Sequence, residues 1–180
     1  MSMQNETIIL GGGCFWCTEA IFTQLKGVLS ATPGYAGGSL KDPGYHEVSG
    51  GNTGHAEVIR IEFDPEIIPL TDILDVFWHT HDPTTLNAQG NDVGTQYRSV
   101  IFYSSDEQKR IAEESLANVQ KSSEFGSAVV TEIQPLDTFY EAESYHKDYF
   151  AKNSDEPYCQ LVISPKLTKL REKYSDKLKK

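Results

Sequence analysis

The sequence predicts an α/β mixture in which one compact sheet carries packed helices, with two long loops gathered around a single turn. Three observations carry this expectation. Five short apolar runs have strand character, helical periodicity is interleaved with them, and the stretches 33–54 and 82–96 are irregular, with many glycine, amide and aromatic residues. Long irregular segments inside a compact domain are usually functional or disordered, and this composition favours function.

In chain order, Thr7-Ile8-Ile9-Leu10 is the first strand, and Gly11-Gly12-Gly13 turns it into a helix opened by Cys14-Phe15-Trp16-Cys17 and continued by Thr18 to Phe22. Gly27 closes that helix as a C′ residue. The strands Val28–Thr32 and Glu57–Phe63 follow, separated by the first loop. Leu70, Ile73, Leu74, Phe77 and Trp78 recur at i, i+3, i+4, i+7 and i+8, which places one helix face on the sheet. After the second loop come a strand over Tyr97–Tyr103 and a helix begun by Ser105 with Gln108 three residues on, a capping-box signature that turns Ala112, Leu116 and Val119 inward. A strand over Ala128–Ile133 and a basic amphipathic helix at about 165–180 complete the chain, and residues 1–5 are expected to be a short disordered start.

With 180 residues, 38% of them hydrophobic and 23% charged, the composition suits a single catalytic domain over 1–180 with one well-buried core. A formal charge of -10 opposes phosphate neutralisation and argues against nucleic acid as a partner. No apolar stretch has membrane-span length and the N-terminus lacks a signal pattern, so a cytoplasmic protein away from membranes is expected. Three cysteines do not make a disulfide framework, and a reducing compartment with working thiols fits them better. The histidines at 46, 55, 79, 81 and 146 show no spacing that completes a metal site with the cysteines, so no metal is expected.

The glycine turn before Cys14 is the most informative feature. A thiol opening a helix sits among unpaired N–H groups at the positive end of the dipole and is expected to ionise easily. Cys17, one turn on, is close enough to close a disulfide with it. C-x-x-C alone also serves thioredoxin-type pairs and half-sites for zinc.

On the strand Glu57-Val58-Ile59-Arg60-Ile61-Glu62-Phe63, the period of two puts Glu57 with Ile59, Ile61 and Phe63, opposite a more polar face bearing Arg60 and Glu62. A carboxyl on the core side is expected to hold its proton near neutral pH, as a general acid requires. Tyr35, Tyr45, Tyr97 and Tyr158 add phenolic donors for a polarised oxygen. Thiol, aromatic wall, protonated carboxyl and phenols together suit reduction of an S=O bond.

Several ordered motifs carry a specific resemblance: Gly12-Gly13-Cys14-Phe15-Trp16, Gly34-Tyr35-Ala36-Gly37-Gly38, Thr53-Gly54-His55-Ala56-Glu57, His81-Asp82-Pro83-Thr84, Gln89 through Ser99, and Ala142 through Tyr149. Together they resemble the A-type peptide-methionine (S)-S-oxide reductases. The resemblance implies an α+β fold, a central mixed β-sheet with packed helices (a ferredoxin-like core) and long glycine-rich active-site loops. It implies that Cys14 attacks the sulfoxide sulfur, leaving methionine and a sulfenic acid. Phe15 and Trp16 match the residues that hold the substrate methyl, Glu57 the proton donor, Tyr45 and Tyr97 its hydrogen-bonding partners, and Asp92 a residue engaging the substrate backbone.

Many relatives have glycine where this chain has Cys17, and resolve the sulfenic acid with C-terminal cysteines, one of them in a flexible glycine-rich tail. Here only Cys159 remains of those. Cys17 resembles the resolving position of a Cys-Phe-Trp-Cys subgroup and is the favoured resolver, with Cys159 the alternative. Either disulfide would be reduced by thioredoxin, with no bound cofactor. Oxidised proteins or peptides are the expected substrates of a monomer that repairs oxidative damage. The competing reading is a thioredoxin-like thiol-disulfide oxidoreductase using Cys14 and Cys17.

Overall fold

A computed structural model describes residues 4–179 of the chain. Strand β1 (Glu6–Gly11) leads through the glycine turn to helix α1 (Phe15–Phe22), β2 (Val28–Ala36), the short α2 (Tyr45–Ser49), β3 (Ala56–Phe63) and α3 (Leu70–Thr80). A two-residue hairpin, β4 (Ala88–Gln89) and β5 (Asp92–Val93), precedes β6 (Val100–Tyr103), α4 (Asp106–Ser122), β7 (Glu132–Pro135) and β8 (Phe139–Glu141). The chain ends in α5 (Tyr149–Lys152), a π-helical turn at Cys159–Ile163 and α6 (Ser164–Tyr174). The fold is α+β.

Six strands form one sheet in the order β7-β6-β1-β3-β2-β8. Each neighbouring pair is antiparallel except β6 with β7, which is parallel, so the sheet is mixed. Its helix-covered face holds the main core, where Ile8 and Leu10 of β1, Ile59, Ile61 and Phe63 of β3 and the apolar stripe of α3 meet. Every residue of α1 except Trp16 is buried, as expected of a helix enclosed on all sides.

The opposite face is less polar than the strand pattern implied. Ile9, Ala36, Ala56, Val58, Val100 and Phe102 form a second buried cluster there, with Leu136 and Phe139 packed against it. The β7–β8 connection lays those two residues over the sheet, and Arg60 places its guanidinium 4.7 Å from the Phe139 ring centroid. Only Arg60 and Glu62 of β3 retain solvent contact.

Several boundaries differ from expectation for reasons of pairing. The loop expected at 33–54 gives up Pro33–Ala36 to β2, because that stretch pairs with both β3 and β8. Gly34 is required there, since a Cβ would collide with the Phe139 ring and the Tyr140 carbonyl. The strand expected over Tyr97–Tyr103 begins only at Val100, after a 3-10 turn at Thr95–Tyr97. The strand expected over Ala128–Ile133 moves to Glu132–Pro135, where β6 offers a parallel edge.

Cys159 opens the π-helical turn. The C-terminal helix is shorter than 165–180, because after Tyr174 a 3-10 turn brings Leu178 back to bridge Leu25. Of the start expected to be disordered, Gln4 and Asn5 are exposed and irregular, and residues 1–3 lie outside the described residues. Among the described residues no helix is long and apolar enough to cross a membrane.

Candidate active site

The turn between β1 and α1 depends on Gly13, whose φ is +99° and whose missing Cβ would stand 2.9 Å from Cγ of Gln89. That turn makes Cys14 the N-cap of α1, and its carbonyl accepts the N–H of Cys17 at 3.0 Å. Cys14 is 8% exposed. Burial first, then its hydrogen bond with Cys17 and the negative charge of Glu57, push Cys14 well above the ordinary thiol range, although the backbone N–H of Trp16 pulls the other way. This reverses the expectation of an easily ionised Cys14. A dipole effect confined to one helix end is outweighed by desolvation and a neighbouring carboxylate. Cys17 takes the opposite course and falls to about 7, through its hydrogen bond with Cys14 and, against burial, the charge of Lys166 and the Tyr158 hydroxyl.

Glu57 is 1% exposed, on the core face that the period of two assigned to it. Its Oε1 accepts the backbone N–H of Phe15, the residue after the thiol, at 3.2 Å. Burial pushes its carboxyl up to about 8, with the charges of Asp92 and Cys17 adding to the rise, so it is mostly neutral at pH 7. Tyr45, from α2, and Tyr97, from the 3-10 turn before β6, are half-buried. Both phenols are raised, by burial first and then by the charge of Glu57, and both therefore remain donors. Tyr35 sits opposite Glu57 in the β2–β3 register, but its hydroxyl is committed to Oε1 of Glu143 at 2.9 Å.

The two aromatic residues beside Cys14 are not equivalent. Phe15 is completely covered, beneath the rings of Tyr35, Tyr45 and His146. Trp16 is half-buried, stacks on Tyr149 and donates Nε1–H to Nδ1 of His146 at 3.0 Å. That bond puts the His146 ring proton on Nε2, a buried atom with no hydrogen-bond partner among the described residues. Asp92 accepts a 2.6 Å hydrogen bond from Tyr158, whose oxygen is 3.6 Å from Sγ of Cys17. Cys159, the next residue, is fully buried against the core, and burial followed by the charge of Cys17 raises its thiol.

A cavity of about 690 Å³ opens onto Cys14 and Cys17 from the side of α6, walled in part by Gln89, Asp92, Tyr158 and Lys166. Among the described residues, no three histidine, cysteine or acidic side chains are grouped to hold a metal ion. The sequence-predicted residues Cys14, Cys17, Glu57, Tyr45, Tyr97, Trp16 and Asp92 thus converge. Sequence reasoning assigned no role to Glu19, Glu143, His146 or Tyr149. The available signal for the last three was the concentration of polar and aromatic residues in Glu143-Ser144-Tyr145-His146-Lys147-Asp148-Tyr149, a stretch without periodicity. This arrangement can combine a sulfur nucleophile with a neutral carboxylic acid and phenolic donors, and a second thiol stands within reach.

A family model described as "Peptide methionine sulfoxide reductase" matches residues 6–178. The chain is 54% identical over 174 residues to peptide methionine sulfoxide reductase MsrA of Saccharolobus solfataricus, covering 97% of each chain. Its fold is similar to that of Mxr1 from Saccharomyces cerevisiae in reduced form, with a TM-score of 0.80 and 35% identity over 87% of this chain and 90% of that one. Mxr1 has also been solved in complex with Trx2, a structure similar in fold at a TM-score of 0.57 and 24% identity, covering 81% of this chain and 85% of that one.

Proposed function

The chain belongs to the peptide methionine sulfoxide reductase family and reduces methionine sulfoxide, and from that premise we propose that it takes the S epimer and divides the reaction among its residues as follows. Glu57 gives its proton to the sulfoxide oxygen, which makes the substrate sulfur electrophilic. Cys14 Sγ attacks that sulfur and passes its own proton to the Glu57 carboxylate just formed. The oxygen then passes from the substrate sulfur to Cys14 Sγ as the sulfur–sulfur bond breaks, and methionine leaves a sulfenic acid on Cys14. Tyr45 and Tyr97 hydrogen-bond the oxygen as it gains charge. The Trp16 face receives the methyl group, with Phe15 as the floor beneath it, and Asp92 exchanges its bond with Tyr158 for one to the substrate backbone.

Cys17 then attacks the Cys14 sulfenic sulfur, water departs, and a Cys14–Cys17 disulfide forms. A dithiol protein of the thioredoxin class returns both thiols by exchange, consistent with the existence of a Mxr1 complex with Trx2. Oxidised peptides and proteins are the substrates. The order β6-β1-β3-β2, built from a β-α-β-β-α-β succession, supports reading the core as ferredoxin-like and the domain as one catalytic unit.

The observation that carries this reading is the buried, neutral Glu57 bonded at 3.2 Å to the N–H of the residue after the nucleophile. A thiol-disulfide oxidoreductase built on Cys14 and Cys17 has no sulfoxide oxygen for that acid to protonate. The separate S and R sulfoxides of a blocked methionine, assayed with dithiothreitol, test it: only the S form should turn over, and Cys14→Ser should release no methionine. Similar rates on both epimers, or a full burst from Cys14→Ser, would overturn the assignment.

A further inference from the structure

Trp16 and Glu19 stand three positions apart on α1 and share a face. Both engage one short segment of chain more than a hundred residues away. The Trp16 indole lies on the Tyr149 ring, with centroids 3.7 Å apart and planes 5° from parallel. Glu19 Oε2 accepts the backbone N–H of Asp148, the residue just before Tyr149, at 3.0 Å. Glu19 is 2% exposed. A carboxyl covered to that degree needs hydrogen bonds in place of its water, and the Asp148 amide supplies one. Asp148 has φ 55°, a left-handed conformation costly for a residue other than glycine. The Glu19 hydrogen bond therefore lands on the amide of that left-handed residue, immediately before the Tyr149 ring.

We propose that Glu19 is a positioning residue for the reductase reaction: by clamping the Asp148–Tyr149 turn it fixes Tyr149 as the plate that orients the Trp16 indole toward the substrate methyl. The proposal rests on the reading of Trp16 as a wall of the substrate site. The clamp explains why a helix buried nearly all round carries a carboxylate. The side chain serves the backbone at the start of α5, a helix of a single turn.

The experiment uses the full chain with Glu19→Ala, Glu19→Gln, Tyr149→Ala and the double variant Glu19→Ala/Tyr149→Ala. Acrylamide quenching of tryptophan emission reads the clamp without substrate, since Trp78 is 1% exposed and Trp16 is the quenchable indole. Stacking covers one of the two indole faces, so quenching should rise about twofold in Glu19→Ala and in Tyr149→Ala. In single turnover, the half-saturating concentration of blocked methionine S-sulfoxide should rise about tenfold in both, the order of one buried hydrogen bond or one aromatic stack. The maximal rate of methionine release should change little, a split that general loss of structure would not produce. Glu19→Gln keeps an acceptor for the Asp148 amide and should behave as wild type. The double variant should be no worse than either single change.

Unchanged quenching and half-saturation in Glu19→Ala would overturn the proposal, as would additive losses in the double variant. If Glu19→Ala does not fold, Tyr149→Ala decides, and wild-type half-saturation there refutes the plate. Trp16→Leu separates the two levels. If it leaves half-saturation unchanged while Glu19→Ala still alters quenching, the clamp stands but the substrate wall does not, and the positioning role is refuted.

Discussion

Replacing Glu57 by glutamine removes one proton and almost nothing else, and the structure sets the scale of the effect. Burial lifts the carboxyl from its ordinary 4.5 to about 8. At pH 7 about nine in ten Glu57 side chains then carry a proton, against roughly one in three hundred for an unperturbed carboxyl. Glu57→Gln can hydrogen-bond the sulfoxide oxygen but cannot protonate it, so methionine release in a single turnover should slow by about a hundredfold or more. Half-saturation should move by only about threefold, because ground-state contacts are retained.

The same substitution should stabilise the fold. A carboxyl whose folded pKa is raised contributes stability that is fully present below about 4.5 and is lost as pH rises through about 8. Wild-type stability should therefore fall between those values. At pH 8 Glu57→Gln should recover up to about 4 kcal/mol of that loss. Glu19, pushed up to about 7 mainly by burial, adds slope of the same sign, so the variant flattens the profile without levelling it. Rapid-quench assays of methionine release, with urea unfolding at pH 5, 7 and 8, measure both effects. Wild-type release by Glu57→Gln, or wild-type stability that stays level from pH 5 to pH 8, would refute the reasoning.

Two further outcomes bear on the thiols and their turn. Cys17→Ser should still release one equivalent of methionine but lose most thioredoxin-supported turnover, because Cys17 is the thiol drawn down to about 7 beside Cys14. Cys159→Ser should be milder, and mass mapping of the oxidised wild type should find Cys14 joined to Cys17. A Cys14–Cys159 bond alone, with normal turnover of Cys17→Ser, would make Cys159 the resolver. Gly13→Ala should destabilise the chain by about 1–3 kcal/mol, since it forces a side chain into φ +99° and against Gln89. Wild-type stability of that variant in urea would show that the turn tolerates a Cβ.

Elements with their own periodicity are legible in the amino-acid sequence. The α3 stripe of Leu70, Ile73, Leu74, Phe77 and Trp78 is buried throughout. Ser105 caps α4 by accepting the Gln108 N–H at 3.2 Å, although Leu116 and Val119 on that helix reach only partial burial. The core-facing side of Glu57 follows from alternation along one strand. β8, the second cluster on the far face, and the extension of β2 to Ala36 are not legible there. Three-residue strands carry no period of their own, and their pairing is decided by the partner edge.

The amino-acid sequence by itself determined the thiol after its glycine turn, the buried carboxyl on β3 and the helices that pack on the sheet, because each is encoded within a few consecutive residues. Tertiary structure alone decided which thiol is pushed up and which is drawn down, and what closes the site. Desolvation and charge at Cys14 sum over everything that surrounds it, and local position at a helix end pointed the other way. Likewise Trp16 and His146 are 130 positions apart, and Cys17 and Tyr158 are 141 apart. Contacts at such separations leave no periodic trace along the chain, and they form only when folding brings the C-terminal segment onto α1.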